Sequence, residues 1–144
     1  METKSFLKRL EHDRIARAIS NAESRTSGEI RVYVQHGKLG DVVLAAQKQF
    51  EKLGMTATRE RNAVLIFVAP RAQKFAVIGD RAVHEKCGLP FWQALTQAMR
   101  THFQAQNFTD AVVHGIREAG SLLAQHFPRR PDDLNELPNT IEES

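Results

Sequence analysis

The sequence contains a single cysteine, Cys87, among its 144 residues. One thiol can form no intramolecular disulfide and cannot supply a metal site with several thiolate ligands. Disulfide-rich scaffolds and cysteine-based zinc sites are therefore excluded. Of the neighbours of Cys87, only Lys86 would lower the thiol pKa, so we expect a small, partly buried residue rather than a reactive one.

Long apolar runs are also lacking. The longest extends from Ala63 to Pro70, whereas a helix needs about 20 apolar residues to cross a bilayer. Near the N-terminus only Phe6 and Leu7 precede Lys8 and Arg9, while a secretory signal needs an apolar stretch of roughly 7–15 residues. We therefore expect no membrane span and a cytoplasmic location.

Acidic residues are scarce in the body of the chain and concentrated at its end. Residues 131–144 carry five acidic and no basic residues, whereas residues 1–130 carry all 20 basic residues against 12 acidic ones, a net charge of +8. A basic body can attract nucleic acid. These basic residues are spread along the chain and no aromatic-basic recognition motif accompanies them, which favours a solvated surface over nucleic-acid binding.

What is present is an ordinary globular composition, with 42% hydrophobic and 26% charged residues. The length fits one domain with a substantial core. Apolar patterning stops near Pro128, and the remainder is acidic and contains proline. We expect one domain over residues 1–128 and an acidic tail over residues 129–144.

Periodicity predicts four helices and three strands. In chain order we expect a helix over 5–24, a strand over 30–34, a helix from Asp41 to Leu53, strands over 63–69 and 74–78, a helix from about Pro90 that breaks at Gln106, and a helix from Thr109 to Phe127. The middle strand is apolar throughout, which is typical of a strand covered on both faces.

This order, αβαββαα, predicts the fold class. A helix joins the first two strands, so they should run parallel with a right-handed crossover. The short turn over 70–73 should set the third strand antiparallel to the second. Because the second strand must be covered on both faces, we expect an α/β fold, a three-layer α/β/α sandwich with a small mixed β-sheet flanked by helices.

Four segments in succession resemble TPM domains, the family of plant thylakoid lumen, photosystem repair and nematode receptor-modulator proteins. They are Ser27–Val32, Phe50–Met55 with Arg61–Ile66, Lys74–Asp80, and His102–Ile116. Their order and spacing carry the resemblance over roughly residues 5–128, and the tail around Asp132–Pro138 is similar to the short stand-alone bacterial branch. Ala63 departs from the usual family glycine, and we expect neither the export signal nor the C-terminal membrane span of many members.

The resemblance implies an α/β/α sandwich, a divalent-cation site and a weak phosphatase activity reported for some members. It also implies maintenance or accessory roles.

Strand directions should bring one polar cluster together at a single sheet edge. The first and second strands start there and the third ends there, placing Glu29, Asn62 and Asp80 together, with His84 and Glu85 just beyond. Hard cations prefer carboxylate and amide oxygens, and a cation would relieve repulsion between two carboxylates. We therefore predict a Ca²⁺ or Mg²⁺ site formed by Glu29, Asn62, Asp80 and Glu85.

An alternative for these carboxylates stays open. Glu29 and Asp80 would then pair with arginine or cap nearby backbone groups, and the candidate arginines are Arg31, Arg61 and Arg81.

Established phosphatase machinery is missing from the sequence. Six residues after Cys87 stands Gln93 rather than arginine, and no Asp-x-Asp pair, P-loop or His-Glu-x-x-His motif occurs. What remains is metal-assisted hydrolysis at Glu29 and Asp80 with an arginine binding phosphate. This mechanism depends on the resemblance alone.

Several polar side chains are predicted to have structural rather than catalytic or metal-binding roles. Ser27 has no evident base and is a turn residue, and His102 lies on an apolar helix stripe. His114 and His126 are twelve residues apart, too far to share one ion.

We therefore expect a monomeric, non-enzymatic binding or accessory protein with an unidentified protein partner. A weak metal-dependent phosphatase acting on phosphate monoesters is the alternative, and no catalytic residue is assigned. For the tail we favour a solvated segment; it could instead dock on the basic body or recruit a partner through Leu134, Leu137 and Pro138.

Overall fold

The computed structural model describes residues 1–129 and 141–143. The helices are α1 (Thr3–Lys8), α2 (His12–Glu23), α3 (Val42–Lys52), α4 (Arg81–Lys86), α5 (Leu89–Gln104) and α6 (Phe108–His126), and a short 3-10 turn spans Met55–Ala57. The strands are β1 (Glu29–Val34), β2 (Ala63–Ala69), β3 (Lys74–Gly79) and β4 (Ile141–Glu143). None of the described helices combines the length and apolar character that crossing a membrane demands.

The strands form one mixed sheet in the order β3-β2-β1-β4. α3 joins β1 to β2, which run parallel, and the turn at 70–73 sets β3 antiparallel to β2. The predicted strand relations and the α/β fold class are confirmed.

β2 is buried along its whole length because helices cover both faces of the sheet. Val64, Ile66 and Val68 belong to a core formed with α2, α5 and α6. Leu65 and Phe67 belong to a second core formed with α3. Because both faces of β2 are buried, its sequence is an unbroken apolar run.

The predicted helix over 5–24 is two helices, and that part of the prediction is wrong. The Glu11 amide donates to Thr109 Oγ1 at 3.0 Å instead of continuing a helix. In one continuous helix, Phe6 would lie about 180° around the axis from Ile15. Both side chains are buried in the same core, so the chain has to bend between α1 and α2.

The end of the chain joins the sheet. β4 runs parallel to β1, with Ile141–Glu143 paired to Val32–Val34, and Glu142 forms a 2.7 Å ion pair with Arg31. The prediction of a solvated tail is therefore wrong for these three residues. The edge of β1 offers them backbone hydrogen-bond partners, and Arg31 offers Glu142 a buried positive charge. The tail residues that could recruit a partner, Leu134, Leu137 and Pro138, lie outside the described residues.

Candidate functional site

The sheet topology brings the predicted cluster to one edge. Glu29 lies opposite Ala63 in the β1–β2 register, so Asn62 stands beside the start of β1. The Asp80 amide donates to the Ala63 carbonyl at 2.9 Å. Glu29, Asn62 and Asp80 therefore lie on three neighbouring strand ends, as the strand directions predicted.

Asp80 is held by an arginine and by the helix that follows it. Arg61 donates to both carboxylate oxygens, at 2.7 Å from Nε and 2.8 Å from Nη2. The Arg81 amide donates to Oδ1 at 2.8 Å, so Asp80 caps α4. The hydrogen bond with Asp80 raises the pKa of the Arg61 guanidinium. Arginine pairing and backbone capping, the alternative left open by the sequence, account for Asp80.

Asn62 belongs to a second group, the rim triad of Ser27, Glu60 and Asn62. Its amide nitrogen donates to Ser27 Oγ at 3.1 Å and to Glu60 Oε2 at 3.2 Å, and the Ser27 hydroxyl donates to the same Glu60 oxygen. Sequence reasoning gave Ser27 no partner because Glu60 lies 33 residues away in a polar connection. The triad fixes the loop before β1 against the loop before β2.

A buried carboxyl pair, Glu23 with Glu29, lies at the start of β1. Glu23 is 5% exposed and Glu29 is 2% exposed, and the Ile30 amide donates to Glu23 Oε2 at 2.9 Å. Burial, followed by the Glu29 carboxyl, raises the pKa of Glu23 to about 9, against smaller opposing effects of the Ile30 amide and Arg129. Glu23 Oε1 is buried and accepts no hydrogen bond. A proton on that oxygen would let it donate to Glu29, which matches the raised pKa.

Glu23 was missed by sequence reasoning, although a signal for it exists. It follows Ile15 and Ile19 at intervals of four, so it continues the buried stripe of α2. A carboxylate on such a stripe is out of place unless a polar partner meets it. The partner, Glu29, is visible only once β1 packs beside the end of α2.

The donor set can be tested against the chemistry of a divalent cation. The Glu23–Glu29 pair fits, because it offers an orphaned buried oxygen next to a second carboxyl group. Asp80 and Asn62 have protein partners, and Glu85 is exposed on α4. Across residues 1–129 and 141–143, no three Asp, Glu, His or Cys side chains form a group that could hold a metal ion. Metal binding by Glu29, Asn62, Asp80 and Glu85 together stays a prediction.

Two other chemistry-bearing side chains have structural surroundings. Cys87 is buried, and burial raises its thiol pKa, which lowers the thiolate fraction. His102 packs against His114 across α5 and α6, with ring centroids 5.8 Å apart. The structure thus pairs His114 with His102, a contact that the sequence did not predict.

Comparisons with known proteins give the chain a family. A sequence model of the TPM domain matches residues 1–122. The NMR structure of the BA42 protein from the psychrophilic bacterium Bizionia argentinensis is similar, with 39% sequence identity and a TM-score of 0.86 over 93% of this chain and 92% of that chain. No curated protein matches significantly.

Proposed function

This chain belongs to the TPM domain family, and from that premise we propose that it is a binding or accessory protein that takes up a divalent cation at the Glu23–Glu29 pair. Two carboxyl groups held together out of water repel each other when both are charged. A cation relieves that repulsion, and carboxylate oxygens are the ligands that Ca²⁺ and Mg²⁺ prefer.

The observation that carries the proposal is the orphaned Oε1 of Glu23 beside Glu29. A buried carboxylate oxygen without a donor is costly to leave unsatisfied. Either a proton or a cation can satisfy it, so the two compete. With the pKa of Glu23 at about 9, the proton holds the site at pH 7, and cation binding has to release it.

Cation affinity should therefore increase with pH. Below the Glu23 pKa, each added pH unit should tighten binding by up to about tenfold, because one bound proton is displaced. Calorimetric titration of chelator-treated protein with Ca²⁺ and with Mg²⁺ at pH 7.0 and pH 8.5 measures this. Absence of binding heat at both pH values would overturn the cation site.

Variants separate the carboxyl pair from the wider predicted set. Glu29→Gln should abolish the binding heat, whereas Glu85→Gln, at an exposed position on α4, should leave it unchanged. Unchanged binding by Glu29→Gln would contradict the proposal. Loss of binding in Glu85→Gln would instead favour the larger site with Asp80. Far-ultraviolet circular dichroism of each variant checks that it is folded.

The alternative, a weak metal-dependent phosphatase acting on phosphate monoesters, uses the same edge. The observation that favours it is the position of the Arg61 guanidinium beside Asp80, since arginine binds phosphate well. Arg61 already makes two hydrogen bonds to Asp80, so phosphate would have to displace that carboxylate. For this reason we favour binding over catalysis.

A turnover assay distinguishes the two functions. Hydrolysis of p-nitrophenyl phosphate that requires Ca²⁺ or Mg²⁺ and disappears in Glu29→Gln would establish the phosphatase. A rate equal to that of metal-containing buffer, from protein shown by calorimetry to bind the cation, supports the binding role.

A further inference from the structure

A cavity lies at the opposite end of the sheet from Glu29, Asn62 and Asp80. It has a volume of about 640 Å³. Residues from the end of β2, the start of β3 and the end of α5 line it. In parallel α/β sheets, ligands bind beyond the carboxyl ends of the strands, and β1 and β2 both point toward this end. The volume is within the range of small-molecule sites.

Four phenylalanines form a continuous aromatic wall in this cavity. Phe75 packs on Phe103 at 4.9 Å between ring centroids, Phe103 on Phe108 at 6.5 Å, and Phe108 on Phe6 at 5.0 Å. The chain has eight phenylalanines, so half of them line this one cavity. All but Phe6 are only half-buried, which leaves aromatic surface for an apolar group to cover.

Positive charge accompanies this wall. Lys74 and Arg100 line the cavity and both are exposed. The Arg100 guanidinium carbon lies 5.9 Å from the Phe75 ring centroid. None of the described lining residues is acidic, and within residues 1–129 and 141–143 no carboxylate pairs with either cation.

We propose that this cavity binds a small organic anion, a carboxylate attached to an aromatic ring or short apolar chain. The apolar part would cover the phenylalanines, and the carboxylate would pair with Arg100 and Lys74. Arginine suits this role because its planar guanidinium pairs with carboxylates while stacking on an aromatic ring. The cavity is separate from the Glu23–Glu29 pair and does not depend on the cation proposal.

The test is titration of the isotope-labelled full chain followed by amide chemical shifts. The probes are 4-phenylbutyrate, its neutral counterpart 4-phenylbutanol, and acetate, which has the charge without the ring. We expect 4-phenylbutyrate to shift amides over 68–75 and 103–108. It should bind about five- to tenfold more tightly than the alcohol, as two exposed ion pairs, with Arg100 and Lys74, together allow. Acetate should produce no saturable shift.

Arg100→Gln is the decisive variant, and Arg117→Gln, at an exposed position on α6, is its matched control. Arg100→Gln should weaken 4-phenylbutyrate about fivefold and leave the alcohol unchanged, while Arg117→Gln should change neither. The proposal is overturned by the absence of saturable shifts in this region, by equal affinities for acid and alcohol, or by equal effects of the two arginine variants.

Discussion

At the scale of single residues, Glu23 is the side chain least suited to its surroundings. Its pKa of about 9 in the folded protein lies far above the ordinary value of a glutamate, so the folded chain keeps a proton that the unfolded chain releases. Between these two pKa values the native state binds more protons than the unfolded state. Stability therefore falls as pH rises from about 4.5 towards about 9.

Glu23→Gln should remove this pH dependence. Glutamine keeps an oxygen to accept from the Ile30 amide and adds an amide group that can donate to Glu29. Relative to the variant, the wild-type chain should lose up to about 4 kcal/mol of unfolding free energy between pH 5 and pH 8, the limit set by about 1.4 kcal/mol per pH unit.

Urea denaturation at pH 5.0, 6.5 and 8.0, with a chelator present, measures the difference. Glu118→Gln, at an exposed position on α6, serves as the control and should follow the wild type. Parallel stability profiles for the wild type and Glu23→Gln would show that the Glu23 carboxyl titrates normally.

At the scale of elements, close packing of α6 depends on two glycines that differ in what faces them. A Cβ at Gly120 would stand 2.6 Å from the Ala22 Cβ on α2, whereas at Gly115 it would stand 2.8 Å from the Met99 Sδ. Ala22 has no side-chain rotation with which to move away. Met99 is unbranched and can change rotamer.

Gly120→Ala should therefore destabilise the protein by about 1–3 kcal/mol, because α2 and α6 must separate. Gly115→Ala should change stability by less than about 1 kcal/mol, since the better helix propensity of alanine offsets the displacement of Met99. Thermal unfolding of the two variants tests this, and equal losses would contradict the close contact of α2 with α6.

In the molecule as a whole, residues Ile141–Glu143 of the acidic end add an edge strand to the sheet of the basic body. The Arg31 side chain is 9% exposed and that of Glu142 is 32% exposed. Glu143 lies 3.7 Å from His36, where both side chains are more exposed. Removing one partner of a buried pair leaves an uncompensated charge, whereas exposed pairs contribute little.

Glu142→Gln should cost about 1–3 kcal/mol of unfolding free energy, since it leaves Arg31 without its carboxylate. Glu143→Gln is the neighbouring control and should cost less than about 1 kcal/mol. Chemical denaturation at low and high salt compares them. Equal stability of the two variants would argue that β4 does not hold Arg31.

The sequence predicted the fold well where patterns are local. The apolar run of β2 and the alternation of β1 identified the sheet, and the short turn before β3 identified its direction. The break between α1 and α2 escaped because each helix has a plausible local pattern, and only the shared core requires both Phe6 and Ile15 to be buried. β4 escaped because three residues carry no period.

The candidate site was predicted in position more than in partners. The predicted strand directions alone placed Glu29, Asn62 and Asp80 together. Which side chain meets which depends on contacts between distant segments: Arg61 with Asp80, Glu60 with Ser27, and Glu23 with Glu29.

The α/β sandwich and the polar cluster at one end of the sheet follow from the amino-acid sequence, because hydrophobic period and strand direction are local properties. The family resemblance follows from the order and spacing of four sequence segments. The pairing of Asp80 with Arg61, the burial of two neighbouring glutamates and the cavity lined by four phenylalanines appear only in the folded chain. Those outcomes depend on packing and on the burial of charge, which arise when segments far apart in sequence exclude water between them.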